Sequence, residues 1–237
     1  AQAQLTFAGF NVEPLLRMMT PSGIGGQSSM QGSMTVSGPL AQPSAIQADA
    51  HVNAFSATIG NLPLHSEGPV EASLRDGKLQ LKEVHIQGED MDMTANGTVD
   101  VMKNYALRLH SEGTANASLA SILDKTIQSS GEIHYVLNMR GTVHKPDLQG
   151  RVQLNHINMH ILNITNGLSD MNGEMKFDQD RLVVEQLKGS SGGGALEING
   201  FVGFQNGVFA ELTATTQEVR IRYPKGVSSS VDAKLRL

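Results

Sequence analysis

The chain has 237 residues, of which 39% are apolar, 17% charged and 4% aromatic, with 25 Gly and neither Cys nor Trp. The formal net charge of −5 leaves no basic patch for nucleic acid beyond the loose Arg220, Arg222, Lys225 group. The lack of cysteine removes disulfides, thiolate metal sites and Cys nucleophiles, and no apolar run reaches the roughly 18 residues that a membrane-spanning helix needs.

The length suffices for one or two domains with a buried core, and the low charge argues against disorder. No signal peptide is visible. The chain starts at Ala1 without Met and both ends read as strand, so a piece of a longer protein is expected.

In chain order, residues 4–10 (QLTFAGF) read as the end of a strand. Glu13 to Met19 predicts a short helix, since Pro14 suits a first helical turn. Thr20 to Gln27 is a Gly-rich loop. Turn signals fall at Asp76-Gly77, Lys145-Pro146-Asp147, Asp178-Gln179-Asp180 and Gln205-Asn206-Gly207. Residues 110–125 (HSEGTANASLASILDK) run from a strand end into a second short helix with Leu119, Ile122 and Leu123 on one face. Elsewhere the period is two: Tyr105, Leu107, Leu109; Ile133, Tyr135, Leu137, Met139; Val208, Ala210, Leu212, Ala214. Such alternation marks half-buried strands joined as an all-β meander.

A longer period overlies this one. Lys78 to Gly97 (KLQLKEVHIQGEDMDMTANG) returns 103 residues later as Arg181 to Gly200 (RLVVEQLKGSSGGGALEING), without a gap. Leu79, Leu81, Val84 and Asn96-Gly97 match Leu182, Val184, Leu187 and Asn199-Gly200; Met93 and Ala95 match Leu196 and Ile198. Leu5, Gly9 and Leu15 match Leu109, Gly113 and Leu119 at a spacing of 104. The match blurs between about 50 and 65. Tandem β units at 1–108 and 109–215 are predicted, with a third starting at 216–237. Each copy reads as a strand, a bend, and a second strand ending at Asn-Gly. The apolar phase slips between Leu81 and Val84, and again between Val184 and Leu187. A β-bulge there keeps both halves on one face and curves the sheet.

An antiparallel sheet with one apolar face must cover it. Two short helices are too few for roughly 15 strands of ordinary length, so the sheet is expected to fold over itself, as a filled sandwich or around a groove. The inward phase comprises Leu79, Leu81, Val84, Met91, Met93, Tyr105, Leu107 and Leu109. It continues as Ile133, Tyr135, Leu137, Met139, Val152, Leu154, Leu182, Val184, Leu187, Leu196, Ile198, Val208 and Leu212. Methionine suits shapeless ligands, although it also simply fills gaps in cores.

Three stretches then carry a family resemblance: KPDLQGRVQLNHINM from Lys145, LSDMNGEMKFDQDRLVVEQLKGSSGGGALEINGFVGF from Leu168, and VRIRYPKGVSSSVDAKLRL from Val219. Together they resemble the TamB-like (translocation and assembly module) proteins within the AsmA-like envelope group. The likeness runs through about 131–237 and, by the internal repeat, more weakly through 28–108. It implies a trough-shaped antiparallel sheet, the β-taco, in the periplasm of a diderm bacterium, with the parent chain anchored in the inner membrane. It also implies carriage of phospholipid along an apolar groove to the outer membrane, and an outer-membrane β-barrel assembly partner. None of the motifs is catalytic.

Candidates for other chemistry are weak. His156 and His160 would lie about 13 Å apart on a strand, too far for one zinc, which gathers three or four ligands. The GSSGGG run at 189–194 lacks the Gly-Lys-Ser/Thr close of a phosphate loop and precedes a strand. Glu89, Asp90 and Asp92 read as a solvated turn. No metal, cofactor or enzymatic activity is expected. The competing readings are a closed β-solenoid scaffold, which favours coils of about 20–30 residues over 103, and a β-scaffold hydrolase, which needs paired carboxylates in a cleft.

Overall fold

The computed structural model describes residues 2–11, 26–39, 42, 45–102, 105–142, 145–162, 164–204, 209–221 and 229–236. The helix predicted at Glu13–Met19, the turn at Gln205-Asn206-Gly207 and Val208 lie outside them. The period-two segments form strands, giving an all-β fold of one antiparallel sheet. Its strands are β1 Gln2–Phe10, β2 Gly26–Ser37, β3 Gln47–Ile59, β4 Leu62–Ser66, β5 Val70–Arg75, β6 Lys78–Gly88, β7 Met91–Asp100 and β8 Ala106–Asn116. After a 3-10 turn (Ala117–Leu119) and the single helical turn α1 (Ala120–Leu123) come β9 Ile127–Thr142, β10 Lys145–Ile161, β11 Leu168–Gln179, β12 Arg181–Ser191, β13 Gly194–Gly203, β14 Phe209–Ile221 and β15 Ser229–Arg236.

Neighbours in the sheet follow chain order, except that β4 and β5 share one place between β3 and β6. Glu67-Gly68-Pro69 interrupts what β11 runs through unbroken in the second copy. Proline lacks the ladder N–H, which suits a break. This break adjoins the stretch where the sequence match blurs.

Contacts divide the chain into two units, residues 1–113 with 138–147, and residues 114–137 with 148–237. The strand pair β6–β7 of the first recurs as β12–β13 in the second with all four strand boundaries displaced by 103 positions. Both pairs carry the predicted bulge, between Leu81 and Val84 against β7 and between Val184 and Leu187 against β13.

The Asn-Gly pairs correct the sequence reading. They do not end their strands. Gly97 lies opposite Leu81 and Gly200 opposite Val184, each beside the bulge and inside β7 or β13. Gly200 has φ +135°, and a Cβ there would strike the carbonyl oxygen of Glu211 and crowd Leu212 on β14. A bare backbone is needed because the next strand passes so close. The true hairpin tip of the second copy is Gly192-Gly193, with φ +56° and +82°, between the paired Ser191 and Gly194. This is the primed two-residue geometry that glycine favours. Asp76-Gly77 and Gln179-Asp180 turn as predicted. Lys145-Pro146-Asp147 instead opens β10, with the proline at the second residue, where the ladder is only beginning.

Gly200→Val is expected to cost about 2 kcal/mol or more in urea denaturation, because it combines a positive φ with a backbone clash. Gly193→Asn should stay within about 0.5 kcal/mol of wild type, since Asn tolerates the left-handed region and the tip is open.

Candidate functional site

Residues directly opposite in an antiparallel ladder share a face, so the register gives the surface pattern of each unit. In the second unit, Leu154, Gly173, Leu187, Ile198, Ala214 and Leu235 are successive partners across β10 to β15. Val152, Met175, Val184, Gly200 and Leu212 form the next row, and Gly150, Phe177, Leu182, Val202 and Ala210 the one after. The opposite face reads Gln153, Glu174, Gln186 and Arg151, Lys176, Val183. One side is thus apolar in every row and the other mainly polar.

The first unit repeats the scheme. Leu5, Met34, Ala50, Ala72, Leu81 and Gly97 are consecutive partners from β1 to β7, and Ala3, Val36, Ala48, Leu74, Leu79 and Val99 run alongside. Val84 faces Ala95, Ile86 faces Met93, and Gly88 faces Met91. On the reverse lie Gln4, Thr35, Asp49, Ser73, Gln80 and Thr98.

Burial is shallow. Among the described residues no large side chain falls below 2% exposure, and the second unit's core is a cluster of Ala117, Ile157, Met171 and Leu196. Ile133, Leu154, Leu168, Leu187, Ile198 and Ala214 pack around it while remaining partly exposed. The 3-10 turn delivers Ala117 to this cluster. Asn116 caps it by accepting from Ser118 N at 2.9 Å, and Ser129 Oγ donates to Ala117 O at 2.6 Å.

Of the predicted lining, Val84, Leu107, Val184 and Leu196 are buried. Leu81, Met91, Met93, Leu109, Ile133, Tyr135, Leu137, Met139, Val152, Leu154, Leu182, Leu187, Ile198 and Leu212 are half-buried. Leu79 is exposed at an otherwise apolar row. Tyr105 is a correction: it precedes β8 in a turn, with φ +52° and 51% exposure, and does not share the alternation of Leu107 and Leu109. A positive φ at its position breaks the pleat on which the period-two reading relies.

Ile157 and Met171, the centre of the small core, escaped the sequence reading. They follow two further bulges, in which His156 (φ +52°) and Asp170 (φ +51°) turn the chain and reset the phase. The signal available was the shift from even to odd apolar positions between Leu154 and Ile157. At this bulge the His156 N–H donates to Asn172 Oδ1 at 2.8 Å, and His156 Nδ1 lies 2.6 Å from Asp170 Oδ1. Near β15 the arrangement recurs: Glu218 (φ +57°) donates its N–H to Asp232 Oδ1 at 2.7 Å. These groups are exposed and brace backbone.

Ion pairs run across the polar face. His85 on β6 bridges two carboxylates, with Nδ1 2.6 Å from Glu67 and Nε2 2.6 Å from Asp92, which also accepts from Gln87 at 2.9 Å. Glu67 belongs to the break between β4 and β5, so this imidazole ties the break to β7. The hydrogen bond with Asp92 holds the His85 pKa above its ordinary value, with the charges of Asp92, Glu67 and Glu83 adding to it. Asp92 is correspondingly held below the usual carboxylate range. Among the described residues no group of three or more His, Asp or Glu is placed to hold a metal. Among the described residues no helix is long and apolar enough to cross a membrane.

Comparison with known protein families, with curated proteins and with solved structures returns no match.

Because the folded pKa of His85 is raised, its contribution to stability is fully present below the unfolded value of about 6.5 and is lost as pH rises through the folded value. NMR titration should place the His85 midpoint above that of a free histidine. His85→Gln should lower the thermal midpoint more at pH 6 than at pH 8.5, and an equal loss at both would contradict the assignment.

Proposed function

We propose that the apolar face of each unit holds hydrocarbon chains, and that the chain is a segment of a bridge-like, AsmA-like envelope protein carrying phospholipid across the periplasm. The observation that supports this is the set of unbroken cross-strand apolar rows left half-buried behind a polar outer face. In the second unit the row from Leu154 to Leu235 crosses six strands. At about 4.8 Å per strand this is roughly 24 Å, more than the roughly 15 Å of hydrocarbon in one bilayer leaflet. An acyl chain can therefore lie along a row within one unit. Burial of hydrocarbon yields about 0.8 kcal/mol per CH2, which needs dry apolar surface and no polar recognition. The rows offer methionine, leucine and glycine steps, a lining that adapts to chains of differing shape. On this reading the protein is a conduit without catalytic residues or cofactor, and docking to an outer-membrane assembly barrel involves other surfaces.

A closed scaffold would instead require these rows to be packed shut. Half-burial of Leu137 and Leu212, which lie outside the small core, favours the conduit.

Purification under mild extraction followed by lipid mass spectrometry tests this. Phospholipid is expected to copurify near stoichiometrically. Leu212→Asp, at a half-buried row position, should reduce it about ten-fold while leaving the denaturation midpoint within about 1 kcal/mol of wild type. Leu196→Asp is the contrasting variant: it places a charge in the small core and should unfold the second unit. Lipid-free wild-type protein, or full lipid retention by Leu212→Asp, would end the proposal.

A further inference from the structure

We propose that Asn166-Gly167, between β10 and β11, is a site of spontaneous deamidation, and that its conversion unlatches a corner of the second unit. The chemistry needs only water and does not depend on the lipid reading. The backbone nitrogen of Gly167 attacks Cγ of Asn166, the new N–Cγ bond closes an imide ring, and Nδ2 leaves as ammonia with the amide proton. Water then opens the imide at either carbonyl, which leaves aspartate or isoaspartate. Glycine after the asparagine favours the attack because no side chain obstructs the backbone nitrogen.

Asn-Gly occurs at Asn96, Asn166, Asn172, Asn199 and Asn206, the last outside the described residues. The dipeptide is common to all, so the fold decides which one reacts. Gly97 lies opposite Leu81, Gly173 opposite Leu154 and Leu187, and Gly200 opposite Val184 and Leu212. Each of these attacking nitrogens sits inside a ladder, where the chain must open before Cγ can reach it. Asn172 is held further, since its Oδ1 accepts from the His156 N–H at 2.8 Å and its Nδ2 donates to the Asp170 carbonyl at 2.7 Å. Asn166 and Gly167 lie beyond the ladders, which end at the pairs Met159–Leu168 and Leu168–Ser191. Among the described residues one hydrogen bond, from Nδ2 to Arg220 O at 2.8 Å, holds the Asn166 carboxamide.

That bond is the latch. Arg220 on β14 donates its N–H to Gly192 O at 3.4 Å. A Cβ on Gly192 would lie 2.6 Å from Arg220 O and 2.8 Å from Asn166 Nδ2. The β10–β11 connection, the Gly192-Gly193 tip and β14 therefore meet at one point. An ionised carboxylate only accepts hydrogen bonds. Formed at position 166, it faces the Arg220 carbonyl with no donor between them, and the contact is lost.

The full chain is aged at mildly alkaline pH, digested and mapped by mass spectrometry for the conversion of amide to acid. Folded protein should lose the Asn166 amide at least about ten-fold faster than those of Asn172 and Asn199, because strand positions must first open. In urea the three rates should converge. Asn166 remaining intact, or reacting no faster than Asn172 in the folded chain, overturns the site. A rate difference that persists in urea overturns the structural cause. The latch is read separately by hydrogen exchange: Asn166→Asp should speed exchange of the Arg220 N–H about ten-fold while leaving β11–β12 amides unchanged. Unaltered exchange at Arg220 overturns the latch.

Discussion

The structure depends on one constraint: apolar residues must stay in phase across every strand. A side-chain period of two means that a slip of one residue sends a whole strand's apolar set to the wrong face. Rows such as Leu154 to Leu235 exist only because each ladder is in register with the next. The strands are long, up to 17 residues in β10, and longer than the five or six usual in globular sheets. Over such lengths twist accumulates, and a single unbroken alternation would not keep both halves of a strand over the same surface. The bulges at Leu81–Val84, Leu154–Ile157 and Val184–Leu187 reset the phase where this matters.

Much of this was written in the sequence, because a bulge leaves a visible trace when apolar positions change from odd to even. The β6–β7 and β12–β13 pairs were legible for that reason, and because two copies showed the same slip. The Asn-Gly pairs were misleading. As a local signal Asn-Gly marks a hairpin tip, but Gly200 is glycine on account of a non-local neighbour, the Glu211 carbonyl on β14. No local pattern carries that information. Tyr105 failed for a related reason, since its residue type fits a strand and only its φ of +52° removes it. His156 and Asp170 hid the small core because non-glycine residues with positive φ carry no strong sequence mark.

The core is small for the same physical reason that the face is available. Each row is one side chain deep, and a single layer of Leu, Val and Met covers only itself. Where the 3-10 turn before α1 brings Ala117 against the sheet, Ala117, Ile157, Met171 and Leu196 become buried. Leu212 and Leu182, away from that cluster, stay half-buried. Stability must therefore come largely from the ladders and from partial burial along many rows, as in repeat architectures whose terms add between neighbours. This leaves a surface that gains free energy from any hydrocarbon laid upon it.

The two copies allow a comparison inside one chain. At the bulge, Lys82 pairs with Glu71 in the first unit, whereas Glu185 pairs with Lys176 in the second, so amine and carboxylate have exchanged strands. Exposed pairs of this kind contribute little in either arrangement. On the other face the character is retained while volumes are redistributed. Ile86 opposite Met93 becomes Gly189 opposite Leu196, and the space above Gly189 is filled by the thioether of Met171. The first unit has the break at Gly68-Pro69 where the second has Met171, and Ile86 supplies the bulk there instead. Sign of charge is thus interchangeable on the outer face, whereas apolarity on the inner face is preserved through compensating changes of size. A face built to pack against one fixed partner would constrain shape. A face built to remain apolar while its shape varies fits a ligand that has no fixed shape, and a hydrocarbon chain is such a ligand.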